Sequence, residues 1–208
     1  LMCGIFGVIG NADSEVANRV SRGMYHRGPD DSGIWFDTTD TPVTLVNTRL
    51  AIIDLSEAGH MPMLSHKSEV AITYNGEVYN FPEIRSELEK LGYEFVSNSD
   101  TEVILTAYQH WGDDCVDRFR GMFAFLIWDV SKQRLFAARD RLGIKPLHWT
   151  MAGKNLILGS ELKTILASGL IESVMNYQAL HHYLTFYAVP PPLTMLQGVH
   201  SLLPGHCL

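Results

Sequence analysis

The chain opens on Met2–Cys3–Gly4–Ile5–Phe6–Gly7–Val8–Ile9, an apolar run headed by a cysteine. Gly4 to Ile9 is predicted as a short strand. A cysteine directly after a methionine has an unusual option. If everything before it is removed, its own α-amine is free, with a pKa of roughly 7.7–8.0. Such an amine can take the thiol proton at neutral pH, directly or through a water. One residue then supplies both nucleophile and base. The alternative is a buried free cysteine at the start of a strand, a common fate for this residue.

Working outward, further strand-like runs lie within Val43 to Ile53 and at Val70 to Tyr74, Phe123 to Trp128, Leu135 to Ala138 and Leu156 to Leu158. The polar stretch Asp129 to Gln133 reads as a hairpin loop between two of them. Helices are predicted from Ser14 towards Tyr25, from Pro82 to Gly92, from about Thr101 to Trp111 with Gly112 as the stop, and near Leu162 to Leu166. In the second of these, Ile84, Leu88 and Leu91 share one face. Strands, then helices, then more strands predict an α+β class with layered, largely antiparallel sheet. The regular strand–helix alternation of a doubly wound fold is missing.

The 208 residues allow one or two domains and a sizeable core. A hydrophobic share of 46% with 19% charged residues is that of a globular chain. The formal charge of −7 argues against a nucleic-acid partner. The longest apolar run, Met122 to Trp128, is too short to span a membrane, so no membrane partner is expected. The first residues lack the basic flank and cleavage site of a signal peptide. Three cysteines, Cys3, Cys115 and Cys207, are too few and odd in number for a disulfide framework, and point to a reducing, cytoplasmic setting. No metal site is expected, since no paired cysteine or histidine spacing occurs. Cys115 follows Asp113 and Asp114, whose charges would raise its pKa and blunt it as a nucleophile.

Four polar stretches could carry chemistry. Tyr25–His26–Arg27–Gly28–Pro29–Asp30–Asp31 reads as a basic helix end followed by a turn. In Asn47–Thr48–Arg49–Leu50–Ala51–Ile52–Ile53–Asp54, the Arg49 guanidinium wants a carboxylate, from the protein or from an amino-acid substrate. Tyr74–Asn75–Gly76–Glu77 carries the Asn-Gly pair of a hairpin turn. The same pair could converge an amide and a backbone N–H on one oxygen, forming an oxyanion hole. Ser99–Asp100–Thr101–Glu102 fits a capping box, which could at the same time aim the Asp100 carboxylate at a substrate ammonium. Thiol, oxyanion donors, cation and anions are together the parts needed to hydrolyse an amino-acid side-chain amide.

In these motifs the chain resembles the class II glutamine amidotransferases, whose glutaminase domain is an N-terminal-nucleophile hydrolase. Met2–Cys3–Gly4–Ile5, His26–Arg27–Gly28–Pro29–Asp30, Arg49–Leu50–Ala51–Ile52, Tyr74–Asn75–Gly76–Glu77 and Ser99–Asp100–Thr101–Glu102 carry the resemblance. Ala138–Arg139–Asp140–Arg141, Gly143–Ile144–Lys145–Pro146–Leu147, Pro190–Pro191–Pro192 and Leu203–Pro204–Gly205–His206 look like the glutamine-hydrolysing asparagine synthetase branch. The resemblance implies a four-layer αββα sandwich of two antiparallel sheets and a single glutaminase domain over residues 1–208. The stretch from Val189 to Leu208 would lead towards an ATP-using synthetase domain absent from this chain.

The implied roles follow the motifs. Cys3 attacks the side-chain amide of glutamine, and Asn75 and Gly76 stabilise the oxyanion. Arg49, with Ile52 in the same motif, binds the substrate on its carboxylate side. Asp100 and Glu77 take the ammonium side, where either carboxylate alone could balance the charge. The glutaminase half needs no cofactor; ATP and Mg²⁺ belong to the synthetase domain. That domain is the implied partner besides glutamine, and a homodimer is compatible with the family. Related glucosamine-phosphate and phosphoribosylamine enzymes share the nucleophile, but Gly28–Pro29–Asp30–Asp31 and the tail argue against them. The same motifs would also suit a non-catalytic domain of this fold with Cys3 blocked, or a different N-terminal-nucleophile amidase.

Two departures stand out. His148–Trp149 replaces a usual pair of tyrosines, a change of packing. Leu1–Met2 precedes a cysteine whose amine should be free, so the chain with both residues in place is expected to be inactive.

Overall fold

In the computed structural model residues 2–67 and 69–208 are described; Leu1 and Ser68 lie outside them, and with Leu1 half of the expectation about a blocked N-terminus. Ten strands form two antiparallel sheets. The first is built from β1 (Gly4–Ile9), β2 (Asp31–Asp37), β3 (Val43–Arg49), β8 (His148–Ala152), β9 (Asn155–Gly159) and β10 (His200–Ser201), in the order β10-β8-β9-β1-β3-β2. The second holds β4 (Met63–Leu64), β5 (Val70–Val78), β6 (Gly121–Asp129) and β7 (Arg134–Arg139), in that order. Among the described residues there are also six α-helices: α1 (Ser14–Met24), α2 (Phe81–Lys90), α3 (Asp100–Trp111), α4 (Cys115–Arg118), α5 (Leu162–Ala167) and α6 (Tyr177–Phe186).

Three apolar clusters separate four layers. Phe6, Val8 and Val46 of the first sheet pack with Val16, Ala17 and Val20 of α1 and Ile165 of α5. Ile5, Leu45 and Leu158 of the same sheet meet Ala71, Leu126 and Trp128 of the second. Ile72, Tyr74, Phe125 and Ile127 turn the other way, onto Ile84 and Leu88 of α2 and Val103, Ile104 and Leu105 of α3. Successive residues of β1, β5 and β6 thus enter opposite clusters, following the two-residue strand period. The central strands β1 and β6 are covered on both faces and read as nearly unbroken apolar runs instead of alternating with polar residues. The result is the αββα sandwich.

Two polar ties hold the sheets in register near the first strands. The Asn47 amide donates to Thr73 Oγ1 (3.0 Å) and to the Tyr74 carbonyl (3.2 Å), and Thr73 Oγ1 donates to the Val46 carbonyl at 3.1 Å. Trp128 Nε1 donates to Asp37 Oδ2 at 2.7 Å. Each such buried bond adds roughly 0.5–1.5 kcal/mol, but breaking one side strands its partner at a cost of about 1–3 kcal/mol. The Asn47 tie therefore fixes β5 against β3, and with it the two walls of the site.

Several expectations are corrected. Asn75–Gly76 is no hairpin turn: β5 runs through it from Val70 to Val78, paired along its length with β6. Leu91 leaves the α2 face and is exposed, because the helix stops at Lys90. The capping box is half made. Ser99 Oγ accepts from the Glu102 N–H, but Glu102 turns its carboxylate to the Ser97 and Val96 N–H groups. The run begun at Val43 ends at Arg49, and residues 50–53 form a loop. The helices α4 and α6 and the strands β2, β4, β8 and β10 went unpredicted. The asparagine Asn176 caps α6 through its side chain, and β8 interleaves His148 and Thr150 with exposed Met151.

Candidate active site

Cys3 sits just before β1, and the register Gly4↔Thr48 brings it against the end of β3. Its thiol is clasped by one residue: the Leu50 N–H donates to Sγ at 3.3 Å, and Sγ–H points at the Leu50 carbonyl at 3.7 Å. The His26–Asp31 turn braces the same corner. Arg27 Nε donates to the Cys3 carbonyl at 2.9 Å while its Nη1 pairs with Glu161 at 2.7 Å. Asp30 accepts from the Ala51 N–H at 2.9 Å and donates its own N–H to the Arg49 carbonyl at 3.1 Å. Gly28 is a glycine because a Cβ there would strike the backbone of Thr48 and Arg49. What read as a helix end and turn is a clamp on Cys3 and the end of β3.

The facing wall comes from β5 and the start of α3. Asn75 is 1% exposed, and its Nδ2 has no hydrogen-bond partner. A buried, unpaired amide donor costs about 1–3 kcal/mol, so it stands out as a group kept for a ligand. Gly76 lies against β6 so closely that a Cβ would run into the Met122 carbonyl. Asp100 Oδ2 accepts from Tyr74 Oη (2.7 Å) and the Val78 N–H (3.0 Å). Burial nevertheless outweighs these donors and raises its carboxyl above the usual range.

Cys3, Asn75, Gly76, Glu77 and Asp100, together with Arg49 and Ile52, line one cavity of about 160 Å³. Arg49 holds no protein carboxylate. Its Nη1 donates to the Ser56 carbonyl at 3.2 Å and its Nη2 to that of Asp54. Ile52, 67% exposed, sits on the rim. Burial pushes the Cys3 thiol up; the Leu50 N–H, Arg49 and Lys145 pull it down, and Asp100 raises it again. Cys115 lies elsewhere and is pushed up to about 12 by burial first, then by Asp113, Cys207 and Asp114. No histidine is among the described residues of the cavity wall. His26 bonds Glu161 outside it, and burial pushes His148, in β8, down to about 4. Among the described residues no group of His, Cys, Asp or Glu is placed to hold a metal, and no helix is long and apolar enough to cross a membrane.

Sequence reasoning missed Arg27, Tyr74, Leu50 and Lys145. Arg27 and Lys145 stood inside quoted motifs, but nothing local tells that either reaches Cys3.

The family profile described as glutamine amidotransferase domain matches residues 2–208. The chain belongs to that family. Among amidotransferase relatives, asparagine synthetase [glutamine-hydrolyzing] 3 of Bacillus subtilis is 38% identical, with 100% of this chain aligned to 34% of that protein. A putative asparagine synthetase [glutamine-hydrolyzing] 2 of Methanocaldococcus jannaschii is also 38% identical, over 97% of this chain and 42% of its own length. This amidotransferase domain thus spans about a third to two fifths of the curated relatives it matches. In fold it is similar to the glutamine phosphoribosylpyrophosphate amidotransferase of B. subtilis, with a TM-score of 0.68 at 21% identity, over 80% of this chain and 44% of that one.

Proposed function

We propose that this domain hydrolyses the side-chain amide of glutamine, through a thioester on Cys3, and supplies the ammonia to a synthetase domain of a longer protein that makes asparagine. With Met2 removed, the Cys3 α-amine takes the thiol proton as Sγ attacks the amide carbon. The carbonyl oxygen becomes an oxyanion facing Asn75 Nδ2 and the Gly76 N–H. The α-ammonium returns its proton to the leaving nitrogen, ammonia departs, and a γ-glutamyl thioester remains. Water then attacks the thioester, giving one proton to the amine. Collapse releases glutamate, and the proton returns to sulfur. Arg49 and Ile52 take the carboxylate end of the substrate, Asp100 and Glu77 its ammonium. No cofactor enters these steps; ATP and Mg²⁺ serve the synthetase domain.

The buried, unpartnered Asn75 amide in the cavity of Cys3 is the observation that carries this assignment. The α-amine is taken as the base because it sits on the same residue as the thiol; no histidine lines the described wall. In a peptide bond with Met2 that nitrogen is an amide with no basic lone pair, and Met2 itself lines the cavity. Glutamate and ammonia are therefore expected from protein whose first residue is Cys3, as established by intact mass, and not from protein that retains Met2. Full-rate hydrolysis by the Met2-retaining species would overturn the α-amine mechanism. No hydrolysis by either species would overturn the glutaminase assignment.

A further inference from the structure

Two cations line the cavity among the described residues, Arg49 and Lys145, and they are held differently. Arg49 spends its Nη groups on the Asp54 and Ser56 carbonyls. Lys145 is 6% exposed, yet its Nζ donates only to Met2 Sδ, at 3.2 Å. No carboxylate among the described residues comes within 4.0 Å of it. A thioether is a weak acceptor, so this is a poor match for a buried ammonium, which normally is paired.

The backbone shows how the chain delivers the side chain there. Asp140 is fully buried, and its carboxylate accepts the N–H groups of Leu142, Ile144 and Lys145, the last at 2.9 Å. The Lys145 carbonyl in turn accepts from Arg139 Nε at 2.7 Å. These bonds hold the backbone of the loop between β7 and β8, from which the Lys145 side chain reaches the residue that precedes Cys3. Removal of Met2 takes away that thioether partner, while Lys145 shares the cavity wall with Cys3 and acts on its charge.

We propose that Lys145 is an electrostatic positioning residue: its ammonium keeps the Cys3 α-amine in the free-base form. This rests on the α-amine being the base, as proposed above. Charged and titratable groups face Cys3 from every packed element: Arg49 from β3, Arg27 from the turn after α1, Tyr74 and Glu77 from β5, Asp100 from α3, and Lys145. Arg27 is neutralised by Glu161, and Arg49 has the Asp54 charge beside it. Asp100 and Glu77 favour a protonated amine, but they are the groups that a substrate ammonium occupies. Lys145 is the wall cation that makes no ion pair among the described residues, and a like charge beside an amine disfavours its protonation. Burial lowers the Lys145 ammonium itself, while Cys3, Asp140 and Glu77 pull it back up.

The test compares Cys3-terminated wild type, Lys145→Met and Lys145→Arg by the pH profile of kcat/KM for glutamine, from about pH 5 to about pH 10. Lys145→Met is expected to move the acid limb up by about one unit, a roughly tenfold loss below it, with a near-normal plateau. Lys145→Arg should restore the wild-type limb. A Lys145→Met profile superimposable on wild type would refute the role. So would an equal loss at every pH that arginine does not rescue. Active wild type with an unshifted variant sinks only the Lys145 role, whereas inactive Cys3-terminated wild type sinks the glutaminase mechanism beneath it. Alkylation of Cys3 by iodoacetamide against pH reads the same shift without turnover. Lys145→Gln provides the neutral variant if methionine does not fold.

Discussion

Replacing Asn75 with alanine separates stability from catalysis. In most buried sites, deleting an amide removes hydrogen bonds and destabilises. Here Nδ2 has none to lose, although the residue is only 1% exposed. Removing an unpaired buried donor relieves a desolvation cost of about 1–3 kcal/mol. The lost packing of the amide group works the other way. The two largely cancel, leaving a net change within about 1 kcal/mol, or at most about 4 °C in Tm for a domain of this size. Catalysis should respond quite differently. The oxyanion exists only in the transition state, so losing one donor should cost about 10²–10³ in kcat, roughly 2.7–4 kcal/mol, with a smaller effect on KM. The assay is steady-state glutamate release by Cys3-terminated protein, alongside a thermal melt of the same sample. A near-normal kcat in Asn75→Ala would show that the orphaned amide is not an oxyanion donor. A fall of ten degrees or more in Tm would show that it carries structural bonds after all.

Cys3→Ala should abolish hydrolysis and thioester trapping while the melt stays close to wild type. Cys115 cannot substitute, since burial and its acidic neighbours hold its thiol up at about 12; any trapped thioester on the variant refutes Cys3. Gly76→Ala drives a Cβ into the Met122 carbonyl and to within 2.7 Å of Phe123 Cα, both in β6. It should cost about 1–3 kcal/mol in stability and lower kcat as the adjacent donors move; an unchanged melting curve would contradict the close approach. Asp100→Asn keeps size but removes charge, so KM for glutamine should rise by about 10–100-fold, the worth of a charged hydrogen bond. Only ionised Asp100 attracts the substrate ammonium, and burial raises its carboxyl. Wild-type KM should therefore climb as pH falls through that raised value, above the ordinary aspartate figure of about 3.9. Asp100→Asn should lose that limb; a limb kept unchanged in the variant assigns it to another group.

The α+β class, the strands β1, β3, β5, β6, β7 and β9, the helices α1, α2, α3 and α5, and the motif positions could be read from the sequence, because each depends on residues a few places apart. Gly112 as a helix stop, Pro82 at a helix start and the apolar runs of β1 and β6 all act through their immediate neighbours. Ser99 could likewise be read as a cap, since its partner Glu102 lies one turn on. Cys3 stood out as a candidate nucleophile because it directly follows a methionine, although the same local signal fits a buried strand cysteine. The conformation at Asn75 was not legible: asparagine followed by glycine has the local chemistry of a turn, and only the pairing of β5 with β6 straightens it into a strand. The rest of the site depends on long closures of the chain. Arg27 reaches the Cys3 carbonyl across 24 residues, Tyr74 reaches Asp100 across 26, and Lys145 reaches Met2 across 143. None of these contacts has a local energy that sequence spacing could register. They exist because two sheets, each buried on both faces, have one register in which their apolar sides fit. That register decides which polar groups are left facing the cavity.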